Sequence, residues 1–207
     1  TRMIVSEGAL YRNAAAIRAA IPRDKKLMCV VKADAYGHGS VNAARTMLRA
    51  GADAFAVAIV EEAEVLRAAG IAAPILILGG AADESLAQAV RADAAQAVYD
   101  AHTLDTLQRA AAEHGKTALA HLKIDSGMTR IGVRCADDLR ALLALWRKSC
   151  PDVRMEGMFT HFCAAESDME FTLLQNERFR RAIEIVRDHG FDPICHVAAT
   201  TAMCDPR

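Results

Sequence analysis

Residues 30–39 read Val-Val-Lys-Ala-Asp-Ala-Tyr-Gly-His-Gly, a short apolar run that ends at a lysine and passes directly into a loop with two glycines. The run predicts the end of a buried strand, because β-branched residues favour strands and an apolar run suits a strand that is covered on both faces. The glycines lack the Gly-x-Gly-x-x-Gly spacing of a dinucleotide-binding turn. The stretch therefore predicts the first strand-to-loop junction of an α/β domain with parallel strands.

Similar apolar runs recur along the chain and alternate with helical patterns. They predict seven strands, at residues 27–33, 54–59, 74–78, 96–99, 118–125, 155–161 and 194–199. Strands that alternate with helices form a parallel sheet covered by those helices. Seven such units approach the eight of a TIM-type (β/α)8 barrel, while a doubly wound open sheet fits the periodicity equally well. Because no dinucleotide-type glycine turn follows a strand, we favour the barrel, truncated before its eighth strand.

Composition and charge limit the classes of function. Of 207 residues, 53% are hydrophobic and 25% are charged, which excludes a disordered chain. With 25 basic and 26 acidic residues the net charge is −1, so nothing favours a nucleic-acid or membrane partner. Six scattered cysteines without a CxxC pair indicate reduced thiols and a cytoplasmic location. The seven histidines include no HxxxH or HExxH, which argues against a metal site.

The first candidate for chemistry is Lys32, at the carboxyl end of the first predicted strand. Active sites of parallel barrels form at this end. An amine among apolar neighbours loses hydration, which favours the neutral form that attacks an aldehyde. From position alone, a lysine that extends into solvent is the simpler interpretation. The adjacent Tyr36 and His38, with exposed backbone N–H groups, favour a site for an anionic cofactor.

The second candidate is residues 121–132, His-Leu-Lys-Ile-Asp-Ser-Gly-Met-Thr-Arg-Ile-Gly. Strand alternation places His121, Lys123 and Asp125 on one side. Polar groups turned into a barrel are costly unless they are paired or functional, so a buried Lys123–Asp125 ion pair and a catalytic role both remain open. Arg130 either reaches back over the sheet end or is an ordinary exposed arginine.

Two further strand ends carry polar residues. His161 follows the sixth predicted strand, where a hydrogen-bonded structural histidine is the simpler interpretation. Thr200 and Thr201 follow the seventh. Phosphate sites in barrels often form near strands seven and eight, so these hydroxyls are candidate phosphate donors or ordinary helix N-caps.

Taken together, these motifs resemble the alanine racemase family. Residues 30–39 look like its pyridoxal-phosphate lysine motif, and residues 121–132 and 159–162 (Phe-Thr-His-Phe) match its next two signatures in order. The resemblance runs from residue 2 to about residue 207. It implies the family's N-terminal barrel without its C-terminal β-domain, with residues 7–207 in the barrel and residues 1–6 as a strand of the β-domain.

The resemblance also implies roles for individual residues. Lys32 would hold pyridoxal 5'-phosphate as a Schiff base and serve as one of two opposed proton-transfer bases. Tyr36 would contact the phosphate. Arg130 would bond the cofactor's phenolic oxygen and help to place the substrate carboxylate.

Three more positions follow from the same resemblance. Lys123 matches a lysine that family members often carbamylate, and a carbamate there would orient Arg130. His161 would pack near the pyridine ring, and Thr200 stands where the family usually has a phosphate-binding serine. Ala199 replaces the family's usual asparagine. The second base, a tyrosine from the partner subunit, and the arginine beside the pyridine nitrogen lie outside this sequence.

The implied function is interconversion of L- and D-alanine by a homodimer, supplying D-alanine for peptidoglycan, with little activity expected of this stretch alone. A serine or broad-specificity racemase of the same superfamily is one alternative. A non-catalytic pyridoxal-phosphate-binding barrel is another. A third is a cofactor-free barrel enzyme in which Lys123 and Asp125 form an acid/base pair.

Overall fold

The computed structural model describes residues 3–197. The chain forms two compact units, residues 1–96 and residues 97–207. The two candidate phosphate donors, Thr200 and Thr201, lie outside the described residues.

The first unit pairs its strands in parallel and in chain order. Met28 pairs with Ala54, Phe55 with Ile75, and Leu76 with Ala95. Each strand is followed by a helical segment, as the alternating pattern predicts. The elements are α1 (Glu7–Ala20), β1 (Met28–Val30), α2 (Lys32–Gly37), α3 (Ser40–Arg49), β2 (Ala54–Val57), α4 (Val60–Ala68), β3 (Ile75–Ile77), α5 (Asp83–Arg91) and β4 (Ala95–Val98), the last of which crosses into the second unit.

The core of the first unit explains why β2 and β3 are apolar throughout. β2 and β3 are buried at every position, so both of their faces need hydrophobic side chains. Phe55 and Ile75 pack in one cluster with Leu66 of α4. Burying a side chain of this size contributes about 2 kcal/mol.

The second unit repeats the arrangement. Ala118 pairs with Val153, and Gly157 with Ile194, again in parallel. Its elements are α6 (Ala101–His114), β5 (Ala118–Lys123), α7 (Ala136–Ser149), β6 (Val153–Phe159), α8 (Met169–Asp188) and β7 (Ile194–His196). Trp146 of α7 is fully buried, and its indole N–H donates to the Val153 carbonyl at 2.8 Å, which removes the cost of burying that polar group.

All seven predicted strands are present, and the first helix begins at Glu7, directly after its N-cap, Ser6. The hydroxyl of Ser6 accepts a hydrogen bond from the Ala9 N–H at 3.3 Å. The predicted end of the first strand at residue 33 is wrong, because β1 ends at Val30 and the backbone then enters a turn. The strand proposed at residues 1–6 stays a prediction: residues 3–5 form no regular element here, and Ile4 is 92% exposed.

Candidate active site

Lys32 opens an unusual turn directly after β1. The four residues that follow it, residues 33–36, have φ angles of 51°, 51°, 54° and 56°, so they form one turn of left-handed helix without a glycine. Each such residue costs about 1 kcal/mol relative to a right-handed conformation. Strain of this kind persists only where surrounding contacts fix the backbone, and it concentrates at functional sites.

Hydrogen bonds within its own segment fix that turn. The Ala35 N–H donates to the Val31 carbonyl at 2.9 Å, and the Ser40 N–H donates to Asp34 Oδ1 at 2.6 Å. The imidazole Nδ1 of His38 lies 2.8 Å from the Ala35 carbonyl. Because His38 is bonded to this backbone, it stabilises the turn, whereas the sequence suggested that it faces an anionic ligand.

The turn presents two of the predicted site residues. Lys32 is half-buried at its start, and the Tyr36 side chain is 61% exposed at its end. The structure therefore places an amine and a phenol at the carboxyl end of a parallel strand, the location at which barrel active sites form.

In the second unit, His121, Lys123 and Asp125 are buried, with exposed fractions of 8%, 3% and 6%. The alternative of a Lys123–Asp125 ion pair does not form, because Asp125 has other partners. The Asp125 carboxylate accepts from the Gly127 and Thr129 N–H groups at 3.1 and 2.9 Å and from Arg134 Nε at 3.1 Å. Asp125 thus closes the loop that carries Arg130. Because the Asp125 carboxylate is used in these bonds, the structure does not favour Asp125 as the partner of Lys123 in an acid/base pair.

Lys123 lies against apolar surroundings. Its Nζ is 4.8 Å from the centre of the Phe159 ring and donates to the Ile124 carbonyl at 3.3 Å. Burial lowers the pKa of the Lys123 amine to about 8; Asp125 opposes this shift and Arg130 adds to it. Lys123 therefore has a far larger neutral fraction near physiological pH than an exposed lysine, which titrates near pH 10.4, and the neutral amine is the form that reacts with carbon dioxide.

Two histidines form a pair beside Lys123. His121 Nδ1 lies 2.9 Å from His196 Nε2, and the His196 ring stacks on Phe159 with centroids 4.9 Å apart. Burial lowers the pKa of His121 to about 3 and that of His196 to about 4, with the neighbouring histidine and Lys123 adding to the respective shifts. Both rings are therefore neutral near pH 7, one donating to the other. The sequence carries no signal of this pairing, because the two histidines lie 75 positions apart.

Arg130 and His161 are exposed, each on a loop that follows a strand of the second unit. Gln175 of α8 connects these two loops and is completely buried. Its Nε2 donates to Ser126 Oγ at 3.3 Å and to the His161 carbonyl at 3.2 Å, while its Oε1 accepts from the Cys163 N–H at 3.1 Å. Sequence reasoning missed Gln175, because a glutamine within a helical pattern carries no signal of burial.

Replacing Gln175 with leucine is expected to destabilise the protein by about 2–3 kcal/mol, because a completely buried side chain loses its hydrogen bonds to the Ser126 hydroxyl, the His161 carbonyl and the Cys163 N–H. Denaturant unfolding followed by circular dichroism measures this loss. Glu177→Leu, on the exposed face of the same helix, is the control and should change the free energy of unfolding by under about 0.5 kcal/mol. Equal effects of the two variants would contradict the connecting role of Gln175.

The low pKa of Lys123 predicts a pH dependence of stability. An unfolded lysine titrates near pH 10.4, so between about pH 8 and that value the unfolded chain binds more protons than the folded one. Stability should therefore rise with pH across this window, by up to about 1.4 kcal/mol per unit relative to Lys123→Met. Unfolding free energies measured against pH in carbon-dioxide-free buffer give this slope. If the pH dependence were the same for wild type and Lys123→Met, the lowered pKa of Lys123 would be contradicted.

The predicted site residues fall into both units. Lys32 and Tyr36 share the turn in the first, and Lys123, Arg130 and His161 lie in the second. That these two groups meet around one cofactor stays a prediction, as does the role of Thr200, which is outside the described residues. Between residues 3 and 197, no three His, Cys, Asp or Glu side chains are grouped so as to hold a metal ion. In the same range, no helix has the length and apolar character needed to cross a membrane.

Comparison with known proteins identifies close relatives. Alanine racemase 1 of Oceanobacillus iheyensis is 40% identical over 207 residues, covering 97% of this chain and 54% of the relative. Alanine racemase 2 of Bacillus subtilis is 39% identical, covering 96% of this chain and 51% of the relative. The chain thus spans about half the length of the curated relatives it matches.

Solved structures agree with this relationship. The alanine racemase of Bacillus anthracis with bound L-Ala-P superposes with a TM-score of 0.91 at 35% identity, covering 97% of this chain and 52% of that one. A histidine racemase from Leuconostoc mesenteroides superposes with a TM-score of 0.86 at 26% identity, covering 96% and 53%. These matches confirm the predicted fold class, an α/β domain of the TIM-barrel type. A family model described as alanine racemase, N-terminal domain, matches residues 5–207, and the chain belongs to the alanine racemase family.

Proposed function

We propose that the protein interconverts L- and D-alanine with pyridoxal 5'-phosphate held at Lys32. The observation that carries the proposal is the left-handed turn after β1, which presents Lys32 and Tyr36 at the carboxyl end of a parallel strand in a racemase-family chain. Because the chain spans about half of its relatives, the activity, substrate and partners of the whole protein are part of the proposal.

The residues present fit this cofactor chemically. An aldehyde needs an amine, and Lys32 is half-buried but still reachable. A phosphate needs donors, and the Tyr36 phenol is exposed on the same turn. Arg130 is an exposed guanidinium suited to a phenolic oxygen or a carboxylate. When bound, pyridoxal 5'-phosphate withdraws electrons from the substrate's α-carbon and so makes the α-proton acidic.

The chain's own residues would then move and orient groups at that carbon. Racemisation removes the α-proton from one face and returns a proton to the other, which requires one base per face. Lys32 supplies the amine for one face, and the resemblance places the second base, a tyrosine, in the partner subunit of a homodimer. Arg130 binds the substrate carboxylate, and His161 packs against the pyridine ring.

Lys123 supports Arg130 in this proposal. Burial lowers the pKa of its amine to about 8, so the neutral form is accessible near physiological pH, and the amine lies close enough to Arg130 for the Arg130 charge to add to this shift. Carbamylation would convert the buried amine into an anion, and an anion beside Arg130 would hold the guanidinium in one orientation.

Alanine is the proposed substrate because the relatives are named alanine racemases and the Bacillus anthracis structure holds L-Ala-P. The histidine racemase of similar fold shows that this fold also serves a larger side chain, so serine or broad specificity remains the second candidate. The five free cysteines among residues 3–197 suit the reducing cytoplasm, where we place the enzyme. Supply of D-alanine for peptidoglycan is part of the same proposal.

Proton exchange in heavy water tests the proposed function. The full-length protein, loaded with pyridoxal 5'-phosphate and given L-alanine, should produce D-alanine that carries deuterium at the α-carbon. Cofactor binding without exchange would instead support a non-catalytic carrier. Parallel assays with L-serine and L-histidine determine the specificity.

A further inference from the structure

Glu62 of α4 makes two short hydrogen bonds to backbone amides on separate segments. Its Oε2 accepts from the Ala58 N–H at 2.7 Å, and its Oε1 accepts from the Ala33 N–H at 2.6 Å. Ala58 directly follows β2, whereas Ala33 directly follows Lys32. One carboxylate therefore joins the ends of two neighbouring strands of the first unit.

The two oxygens have different roles. Glu62 is the third residue of α4, whose N-cap, Ile59, has no side chain that can cap the helix. Oε2 accepts from the Ala58 N–H, one residue before the N-cap, and so ties the start of its own helix to the end of β2. Oε1 satisfies no donor of α4. It reaches out to the left-handed turn, and that contact has no function in helix formation.

The Ala33 contact acts where the turn is strained. Ala33 is the first of the four residues with positive φ, and its N–H follows the Lys32 carbonyl. The bonds of Ala35 and Ser40 described above come from within residues 31–40, so they shape the turn but do not tie it to another strand end. Glu62 supplies such a tie, and a bond to a carboxylate is roughly twice as strong as a neutral one.

We propose that Glu62 is a positioning residue for Lys32: by holding the Ala33 amide against the end of β2, it fixes the backbone from which the Lys32 amine is presented. The inference rests on the proposed function, because it assigns Glu62 to the orientation of the cofactor-binding amine. Misplacing a reacting group by about 1 Å costs on the order of a hundredfold in rate, so such a link matters beyond stability.

The test compares Glu62→Gln with Glu61→Gln in the full-length protein. Both glutamates lie in the first turn of α4, so the two changes remove the same charge from the same helix end, but Glu62 alone bonds to Ala33. Pyridoxal 5'-phosphate is titrated into cofactor-free protein, and binding is followed by visible absorbance and by the yield of pyridoxyl-Lys32 after borohydride reduction. Circular dichroism confirms that each variant is folded at the temperature used.

Glu62→Gln should weaken cofactor binding by about tenfold relative to wild type, while Glu61→Gln should bind as wild type does. Glu62→Asp, which keeps the charge but is too short to reach both amides, should resemble Glu62→Gln, and it decides the question if Glu62→Gln does not fold. Equal affinity in the folded Glu62 variants and in Glu61→Gln would overturn the positioning role alone. Wild type without any adduct at Lys32 would overturn the proposed function, and the inference with it.

Discussion

Lys32→Ala in the full-length protein is expected to lower the rate of alanine racemisation by about 10³-fold or more. The variant loses both the amine that holds the cofactor and one of the two bases, and a positioned base alone contributes about 10²–10⁴-fold. The fold should survive, because Lys32 is only half-buried and no described hydrogen bond of the turn uses its side chain. Coupled assays of D-alanine formation measure the rate.

Lys26→Ala is the matched control. Lys26 is an exposed lysine that lies shortly before β1 in the same unit, so the substitution removes the same charge without touching the turn. The control should racemise alanine as wild type does. If Lys32→Ala and Lys26→Ala were equally active, Lys32 would be neither cofactor lysine nor base.

Gly132→Ala is expected to destabilise the protein by about 4 kcal/mol. Gly132 has a φ of 130°, and a Cβ there would lie 2.5 Å from the Asp125 nitrogen and 2.8 Å from the Ile124 carbonyl carbon. Overpacking costs about 1–3 kcal/mol and a backbone conformation reserved for glycine a similar amount. The clash falls on backbone that cannot rotate away, since the Asp125 N–H donates to the Val133 carbonyl at 2.9 Å.

Gly115→Ala provides the comparison. Gly115 ends α6 with a φ of 59°, but a Cβ there would have no atom within 4 Å, so only the conformational cost of about 1 kcal/mol applies. Thermal and denaturant unfolding of both variants measure the difference. Similar losses of unfolding free energy in the two variants would mean that the backbone around Gly132 shifts to accommodate the Cβ. The Asp125 loop would then not be fixed as described.

The strands were predictable because their chemistry is local. A strand buried on both faces must be apolar throughout, and runs such as those of β2 and β3 show this without any tertiary information. Ser6 is likewise a local signal, since a hydroxyl before a helix satisfies a free N–H of its first turn. The recognition of Lys32 and Tyr36 as site candidates also depended on one continuous segment.

The rest of the site depends on contacts between distant parts of the chain. The left-handed turn at residues 33–36 contradicts the ordinary preference of alanine, aspartate and tyrosine, so no propensity predicts it. Gln175 reaches Ser126 across 49 positions, and His196 reaches His121 across 75. Such partners are set by tertiary packing. The Lys123–Asp125 ion pair was a reasonable but wrong alternative for another reason: the Asp125 carboxylate bonds within its own loop, to Gly127, Thr129 and Arg134.

Peptide mapping after borohydride reduction tests the central claim most directly. The full-length protein is incubated with pyridoxal 5'-phosphate, reduced, digested and examined by mass spectrometry. A pyridoxyl group on the peptide that contains Lys32, in about one copy per chain, is the predicted result. Labelling of Lys123 or of surface lysines, with Lys32 unmodified, would contradict the proposal that the turn after β1 holds the cofactor.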